Sequence, residues 1–260
     1  MSKKESYEGY LIDLDGTMYR GKEKIPAAPS FIRRLHAANK RVLFVTNNST
    51  RSPEQVAANL VTNHQIPAQP AEIYTTALAT ADYLAKRAGD RRRVYMIGEQ
   101  GLKDALESRG FELTDQRPDF VVVGLDTEVT YRKLEVAVLA ILAGATFIGT
   151  NADSNLPNER GLTPGAGSLV KLVEYATQTK PIMIGKPEAI IMEMALQRVG
   201  LTKEQVVMVG DNYHTDIEAG INVGMDTLLV YTGVSTKEQV SREEVPPTHV
   251  VDSLDDWMVE

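Results

Sequence analysis

Short apolar runs that stop abruptly in polar residues alternate, along most of this chain, with amphipathic stretches of helical period. A sequence so patterned folds as a mostly parallel sheet with helices on its faces, because parallel neighbours need a helical crossover between them. One set of strand-like runs comprises Tyr10 to Asp13, Val42 to Thr46, Ile182 to Ile184, Val206 to Val209 and Thr227 to Tyr231, with an edge strand near His249 to Val251. Between Thr46 and Lys186 lie about 140 residues, far more than a usual connection. That stretch carries strands of its own at Arg93 to Ile97, Phe120 to Val123 and Thr146 to Thr150. Its helical patterns fall near Ala77 to Ala88, Leu102 to Arg109, Tyr131 to Ala143 and Ser168 to Thr177. The economical reading is a doubly wound α/β core, residues 1–77 and 178–260, interrupted by an inserted α/β domain, residues 78–177.

Local punctuation agrees with this division. Ser52-Pro53-Glu54-Gln55 combines an N-cap, a proline at the first helical position and a capping-box Gln, and predicts a helix to about Val61. Pro187 is expected to open a helix over Glu188 to Val199, with Gly200 as its left-handed stop.

Composition narrows the function classes. A net charge of −7 disfavours nonspecific binding to nucleic acid or to an anionic membrane, both of which need a basic surface. The absence of cysteine excludes disulfides, thiolate metal sites and cysteine nucleophiles. Met1-Ser2-Lys3-Lys4-Glu5 has no apolar signal region, and the longest nearly apolar stretch, Val136 to Gly149, is shorter than the ~20 residues that span a bilayer. A cytoplasmic protein is the expectation.

The polar residues at the strand ends form the chemical signal, since ligands of doubly wound folds sit at the carboxyl edge of the sheet. The first end, Asp13-Leu14-Asp15-Gly16-Thr17, sets two carboxylates on one face of an extended strand, about 7 Å apart along it. A polar Asp-Gly turn would explain those residues alone, whereas a calcium loop would not, because Met18 and Lys24 stand where it needs Gly and Glu. The second end gives Thr46 and Asn47, a hydroxyl and backbone N–H groups suited to phosphate oxygens. The third, Ile184-Gly185-Lys186-Pro187, supplies one cation but no phosphate-binding glycine loop. The fourth, Gly210-Asp211-Asn212-Tyr213-His214-Thr215-Asp216, adds two more carboxylates. Occurring together and in this order, the four ends point to a site rather than to unrelated turns.

Those four segments resemble the ordered motifs of the haloacid dehalogenase superfamily, most of whose members are magnesium-dependent phosphatases. The long insert, with Gly149-Thr150-Asn151-Ala152-Asp153 and Thr163-Pro164-Gly165-Ala166-Gly167-Ser168, resembles the large α/β cap of its NagD-like and p-nitrophenylphosphatase branch. The resemblance implies that Asp13 is the nucleophile, forming an aspartyl phosphate, and that Asp15 handles protons for the leaving oxygen and for water. It implies phosphoryl binding by Thr46, Asn47 and Lys186, and Mg²⁺ held by the Asp13 carboxylate, the Asp15 carbonyl and Asp211, with Asp216 steadying the metal shell or Lys186.

Charge counting favours the metal independently. Four ionised Asp and one Lys leave −3, which repels a phosphate dianion, whereas Mg²⁺ and a protonated Asp15 bring the site to neutrality. Asn151 and Asp153 are the cap residues expected to face a small phosphorylated metabolite at the junction of core and cap. A cap-mediated homodimer, familiar in similar proteins, is left open. Two alternatives use the same residues: a phosphotransferase delivering the phosphoryl group to another hydroxyl, and a noncatalytic phosphometabolite sensor. The histidines His36, His64, His214 and His249 show no ligand spacing, and only His214 falls within a motif. Gly165-Ala166-Gly167 is not read as a dinucleotide loop, because Val170 replaces its third glycine and no clear strand precedes it.

Overall fold

The computed structural model describes residues 6–158 and 160–260; residues 1–5, read above for a signal segment, lie outside them. From the N-terminal side the chain runs through β1 (Gly9–Ile12), a hairpin of β2 (Tyr19–Arg20) and β3 (Glu23–Lys24), α1 (Ala28–Ala37), β4 (Arg41–Thr46), α2 (Pro53–His64) and β5 (Ile73–Thr75). It continues through α3 (Thr76–Arg87), β6 (Arg93–Ile97), α4 (Gln100–Ser108), β7 (Glu112–Leu113), β8 (Phe120–Val123), α5 (Tyr131–Leu142) and β9 (Thr146–Gly149). A hairpin of β10 (Asn155–Asn158) and β11 (Gly161–Pro164) follows, then α6 (Ala166–Thr177) and β12 (Ile182–Met183). The remainder holds α7 (Ala189–Val199), β13 (Val206–Gly210), α8 (Glu218–Val223), β14 (Asp226–Val230), α9 (Lys237–Val240) and β15 (His249–Val251).

Two compact units result. The first comprises the chain up to Thr46, Pro53–Tyr74 and Lys186–Glu260; the second comprises Asn47–Ser52 and Thr75–Gly185. The junctions therefore fall at 74/75 and 185/186, compared with 77 and 178 in the sequence reading, and a six-residue loop after β4 goes with the second unit.

In the first unit six strands lie in the order β15-β14-β13-β1-β4-β5. β1 pairs in parallel with β13 on one side and β4 on the other, and β14 and β15 extend the sheet in parallel beyond β13. The chain builds outward from β1 in one direction, then returns to its other side, which makes β1 the point where strand order reverses and a crevice opens. Tyr10, Leu11 and Ile12 are all buried, as a strand covered on both faces requires. One wall of the core joins Tyr10, Ile12, Phe44 and Val209 to Phe31 of α1 and Leu60 of α2. Each fully buried side chain of this size contributes roughly 1.5–3 kcal/mol.

The second unit has its own sheet, ordered β12-β9-β8-β6-β7, with parallel pairing throughout. Val121, Val123 and Phe147 bury against Ala137 of α5 and Val170 and Val173 of α6. Thr75 and Thr130 cap α3 and α5, each side chain accepting a backbone N–H three residues on. Among the described residues no helix is long and apolar enough to cross a membrane.

Three local expectations are corrected. The run at Ile182 does not join the first sheet: Ile182 and Met183 pair with Ile148 and Gly149 of β9, and Ile184 and Gly185 extend that pairing with N–H bonds to Gly149 and Thr150. Hydrophobic pattern identifies a strand but not its partner, so a short run at a domain junction reads alike for either sheet. Pro187 does not open α7, which starts at Ala189 after an extended Glu188, although Gly200 does stop it in the left-handed region with φ 69°. Helix α2 runs to His64 rather than Val61, and His64 is buried in that last turn.

Candidate active site

The polar ends of β1 and β13 converge with Lys186 in the first unit. The Asp13 N–H still donates to the Val209 carbonyl at 2.9 Å, so the side chain emerges at the carboxyl edge of the central strand. Buried Lys186 donates through Nζ to Asp13 Oδ1 at 2.6 Å and to Asp216 Oδ1 at 2.7 Å. Asp216 is fixed in turn by the single helical turn Tyr213–Ile217: its N–H donates to the Asn212 carbonyl, while its Oδ2 accepts from the Asn212 N–H at 3.1 Å.

Asp211 is held from two sides. Thr17 Oγ1 donates to Asp211 Oδ1 at 2.9 Å, and the Val234 N–H donates to Asp211 Oδ2 at 2.7 Å. The surrounding backbone comes so close that only glycine fits: a Cβ at Gly233 would lie 1.9 Å from Asp211 Oδ2, and one at Gly16, where φ is +98°, would lie 2.3 Å from it. Asp15 is exposed and its carboxylate accepts the Gly21 N–H at 3.3 Å, leaving it open to solvent at the rim.

The electrostatics follow from placing three carboxylates and one ammonium out of water. Burial pushes the Asp13 carboxyl well above the ordinary carboxylate range, and Asp216 pushes it further, against the opposing pull of Lys186. Burial, with Asp216 again adding, raises Asp211 to about 6. Burial works against the Lys186 ammonium, yet Asp13 and Asp216 outweigh it and hold its pKa above the usual lysine value. One cation does not satisfy three anions, and oxygens of Asp13, Asp211 and Asp216 all lie within 4.8 Å of one another. An all-oxygen set with surplus negative charge can hold a hard divalent cation.

In the second unit, Asn47 follows directly on β4. Its carbonyl accepts from Thr76 Oγ1 and from Asn151 Nδ2, both at 2.7 Å, and its side-chain amide donates to Asp153 Oδ1 at 3.1 Å. Asn151 and Asp153 are thus brought together, and what they touch is Asn47.

This arrangement can be compared with known proteins. Residues 10–112 match the family described as haloacid dehalogenase-like hydrolase, and residues 183–257 match a second HAD-hydrolase-like family. A 5'-nucleotidase, YutF, of Bacillus subtilis is 50% identical over 254 residues, 98% of each chain. The chain belongs to the haloacid dehalogenase-like hydrolases. An acid sugar phosphatase of Staphylococcus aureus is likewise 50% identical over 257 residues, with 98% of each chain covered. Among solved structures, a thermostable NPPase of Geobacillus stearothermophilus superposes with a TM-score of 0.92 at 52% identity, covering 98% of this chain and 99% of that one. NagD of E. coli gives a TM-score of 0.92 at 30% identity, covering 98% and 100%. This haloacid dehalogenase-like hydrolase is therefore a NagD-like phosphatase acting on phosphomonoesters.

Some of the hydrolase's site escaped the sequence. Thr17 and Val234 hold Asp211 and Gly233 leaves room for it, roles that the pattern of strand ends does not reveal. Thr17 lies inside the Asp-x-Asp-Gly-Thr run, and Thr232-Gly233-Val234 follows a fifth strand end. His214 is exposed and its ring nitrogens face Glu218 and Glu243, at 3.1 and 3.6 Å.

Proposed function

We propose that this hydrolase removes the phosphoryl group from small phosphorylated metabolites in the cytoplasm, with Mg²⁺ and through a phosphoaspartate on Asp13. The supporting observation is the buried Lys186 ammonium bridging Asp13 and Asp216 beside Asp211. Lys186 keeps the Asp13 carboxylate oriented and offsets its charge as an anionic phosphoryl group approaches. An Asp13 oxygen bonds to phosphorus while the ester P–O bond breaks, and Asp15 gives its proton to the leaving oxygen. Water then attacks the same phosphorus, Asp15 takes its proton, and inorganic phosphate leaves with Asp13 restored. Exposure of Asp15 suits both transfers, since leaving group and water arrive from solvent. The Thr46 hydroxyl and the Asn47 N–H bind phosphoryl oxygens.

The Asp13, Asp211 and Asp216 carboxylates, with the Asp15 carbonyl, would hold Mg²⁺, which when bound neutralises charge on the phosphoryl oxygens. The second unit serves as a cap that chooses the leaving group. Relatives named as a nucleotidase, a sugar phosphatase and p-nitrophenylphosphatases set the assay panel. Turnover of p-nitrophenyl phosphate, nucleoside monophosphates and sugar phosphates is measured with Mg²⁺ and with chelator, in the wild type and in Asp13→Asn. Loss of turnover with chelator, and a fall on the order of 10⁴-fold or more in Asp13→Asn, are the expected results. Activity indifferent to both would reject the reading.

A further inference from the structure

Two cap motifs, Gly149-Thr150-Asn151-Ala152-Asp153 and Thr163-Pro164-Gly165-Ala166-Gly167-Ser168, converge on one turn of backbone, and that turn grips Asn47. The grip has several parts. Asn151 Nδ2 donates to the Asn47 carbonyl at 2.7 Å, and Asp153 accepts the Asn47 side-chain amide with both oxygens, at 3.1 and 3.4 Å. The two gripping residues are locked together, since the Asp153 N–H donates to Asn151 Oδ1 at 3.1 Å. Thr76 Oγ1 supplies a second donor to the Asn47 carbonyl.

The glycine-rich motif supports this turn from behind. The Gly167 N–H donates to the Asp153 carbonyl at 2.9 Å, and Gly165 N–H and Ser168 Oγ both donate to the Ser154 carbonyl. A Cβ at Gly167 would lie 2.4 Å from the Ala152 carbonyl carbon, and one at Gly165 would lie 2.3 Å from the Asp153 carbonyl oxygen. Side chains there would push the start of α6 off the turn. Gly185 closes the other side, where a Cβ would lie 2.7 Å from Asn47 Oδ1 and 2.8 Å from Asn151 Cβ.

We propose that Asn151 and Asp153 are positioning residues that act through Asn47, rather than contacts to the leaving group. A peptide amide that binds a phosphoryl oxygen must point at it. The Asn47 N–H lies in the peptide before its Cα and the doubly held carbonyl in the peptide after it, so fixing that carbonyl and the side chain fixes the Cα between them and restrains the direction of the N–H. The cap thereby contributes to a step common to every substrate. The inference rests on the reading that Asn47 N–H binds the phosphoryl group.

The test compares wild type, Asp153→Ala, Asp153→Asn, Asn151→Ala and Asn47→Ala. Measurements are kcat/KM for p-nitrophenyl phosphate, a nucleoside monophosphate and a sugar phosphate, with the inhibition constant of inorganic phosphate. Positioning predicts that Asp153→Ala lowers kcat/KM about tenfold to a hundredfold for all three esters, by one common factor, and weakens inhibition by phosphate alongside. Asp153→Asn, which keeps an acceptor for the Asn47 amide, should recover most of the loss. In the Asn47→Ala background Asp153→Ala should add less than about twofold, as coupled residues do. Losses that differ between esters while phosphate inhibition stays unchanged would overturn the proposal, as would an Asp153→Ala protein with wild-type kinetics. If Asp153→Ala does not fold, Asp153→Ser and Asn151→Ala carry the same comparison. A wild type that turns over esters but is insensitive to phosphate would instead overturn the phosphoryl reading of Asn47, and this inference with it.

Discussion

Lys186 Nζ lies 2.6 Å from Asp13 Oδ1, although 173 residues separate the two in sequence. Lys186 is buried and bonds equally closely to Asp216, so it is the only positive charge that the described structure places among three buried carboxylates. Replacing it with Met would leave Asp13 and Asp216 buried beside each other without a counter-charge, at a cost of about 3–5 kcal/mol. Urea denaturation of metal-free Lys186→Met should show that loss. Lys186→Arg should not restore activity, because a planar fork does not occupy the position of a compact ammonium.

The raised pKa of Asp211 has a defined sign in metal-free protein. Its folded value of about 6 lies above that of an unfolded Asp, so its contribution to stability is complete at low pH and is lost as pH rises towards and past 6. Wild type minus Asp211→Asn, compared by thermal melting without metal, should therefore become more unfavourable between pH 4 and pH 7. Adding Mg²⁺ should raise the wild-type melting temperature most at the upper end of that range. A difference independent of pH would contradict the burial of this carboxylate.

Gly233 is required for close approach, since its Cβ would lie 1.9 Å from Asp211 Oδ2. Gly233→Ala must displace the Asp211 carboxylate or the chain that carries the Val234 N–H. Titration of activity with Mg²⁺ should show the half-maximal concentration rising about tenfold or more, as when a ligand's supporting shell is disturbed. An unchanged titration would remove Gly233 from the site.

His64 stacks on Tyr19 with ring centroids 4.4 Å apart, and its Nδ1 has no partner among the described residues. Burial and then Lys24 lower its pKa, against a smaller opposing effect of Asp15. A histidine held below its unfolded value destabilises the fold as pH drops below about 6.5, because the unfolded chain takes the proton first. His64→Phe keeps the stack and removes the titration. Its stability relative to wild type should rise on acidification, read by denaturation at successive pH values.

How much of this was legible in the sequence depends on what kind of information each feature carries. Asp13, Lys186, Asp211 and Asp216 each stand at or just beyond a strand-like run, so placing the strands placed the charges. Pattern did not reveal which sheet Ile182 and Met183 join, because an apolar run records burial and not partner. Gly233 was silent because a glycine selected for the space its neighbour needs looks like any loop glycine. Asn151 and Asp153 were legible as polar residues of the insert, but not as partners of Asn47, which lies over a hundred residues away.

The central claim is that phosphorus passes to an oxygen of Asp13 before it reaches water. The configuration at phosphorus tests this most directly, using a phosphorothioate ester made chiral there by its sulfur and one heavy oxygen isotope and hydrolysed in water carrying the other. Two successive in-line displacements predict inorganic thiophosphate with retained configuration. Inversion would mean that water attacks the ester in one step, and the phosphoaspartate account would be wrong.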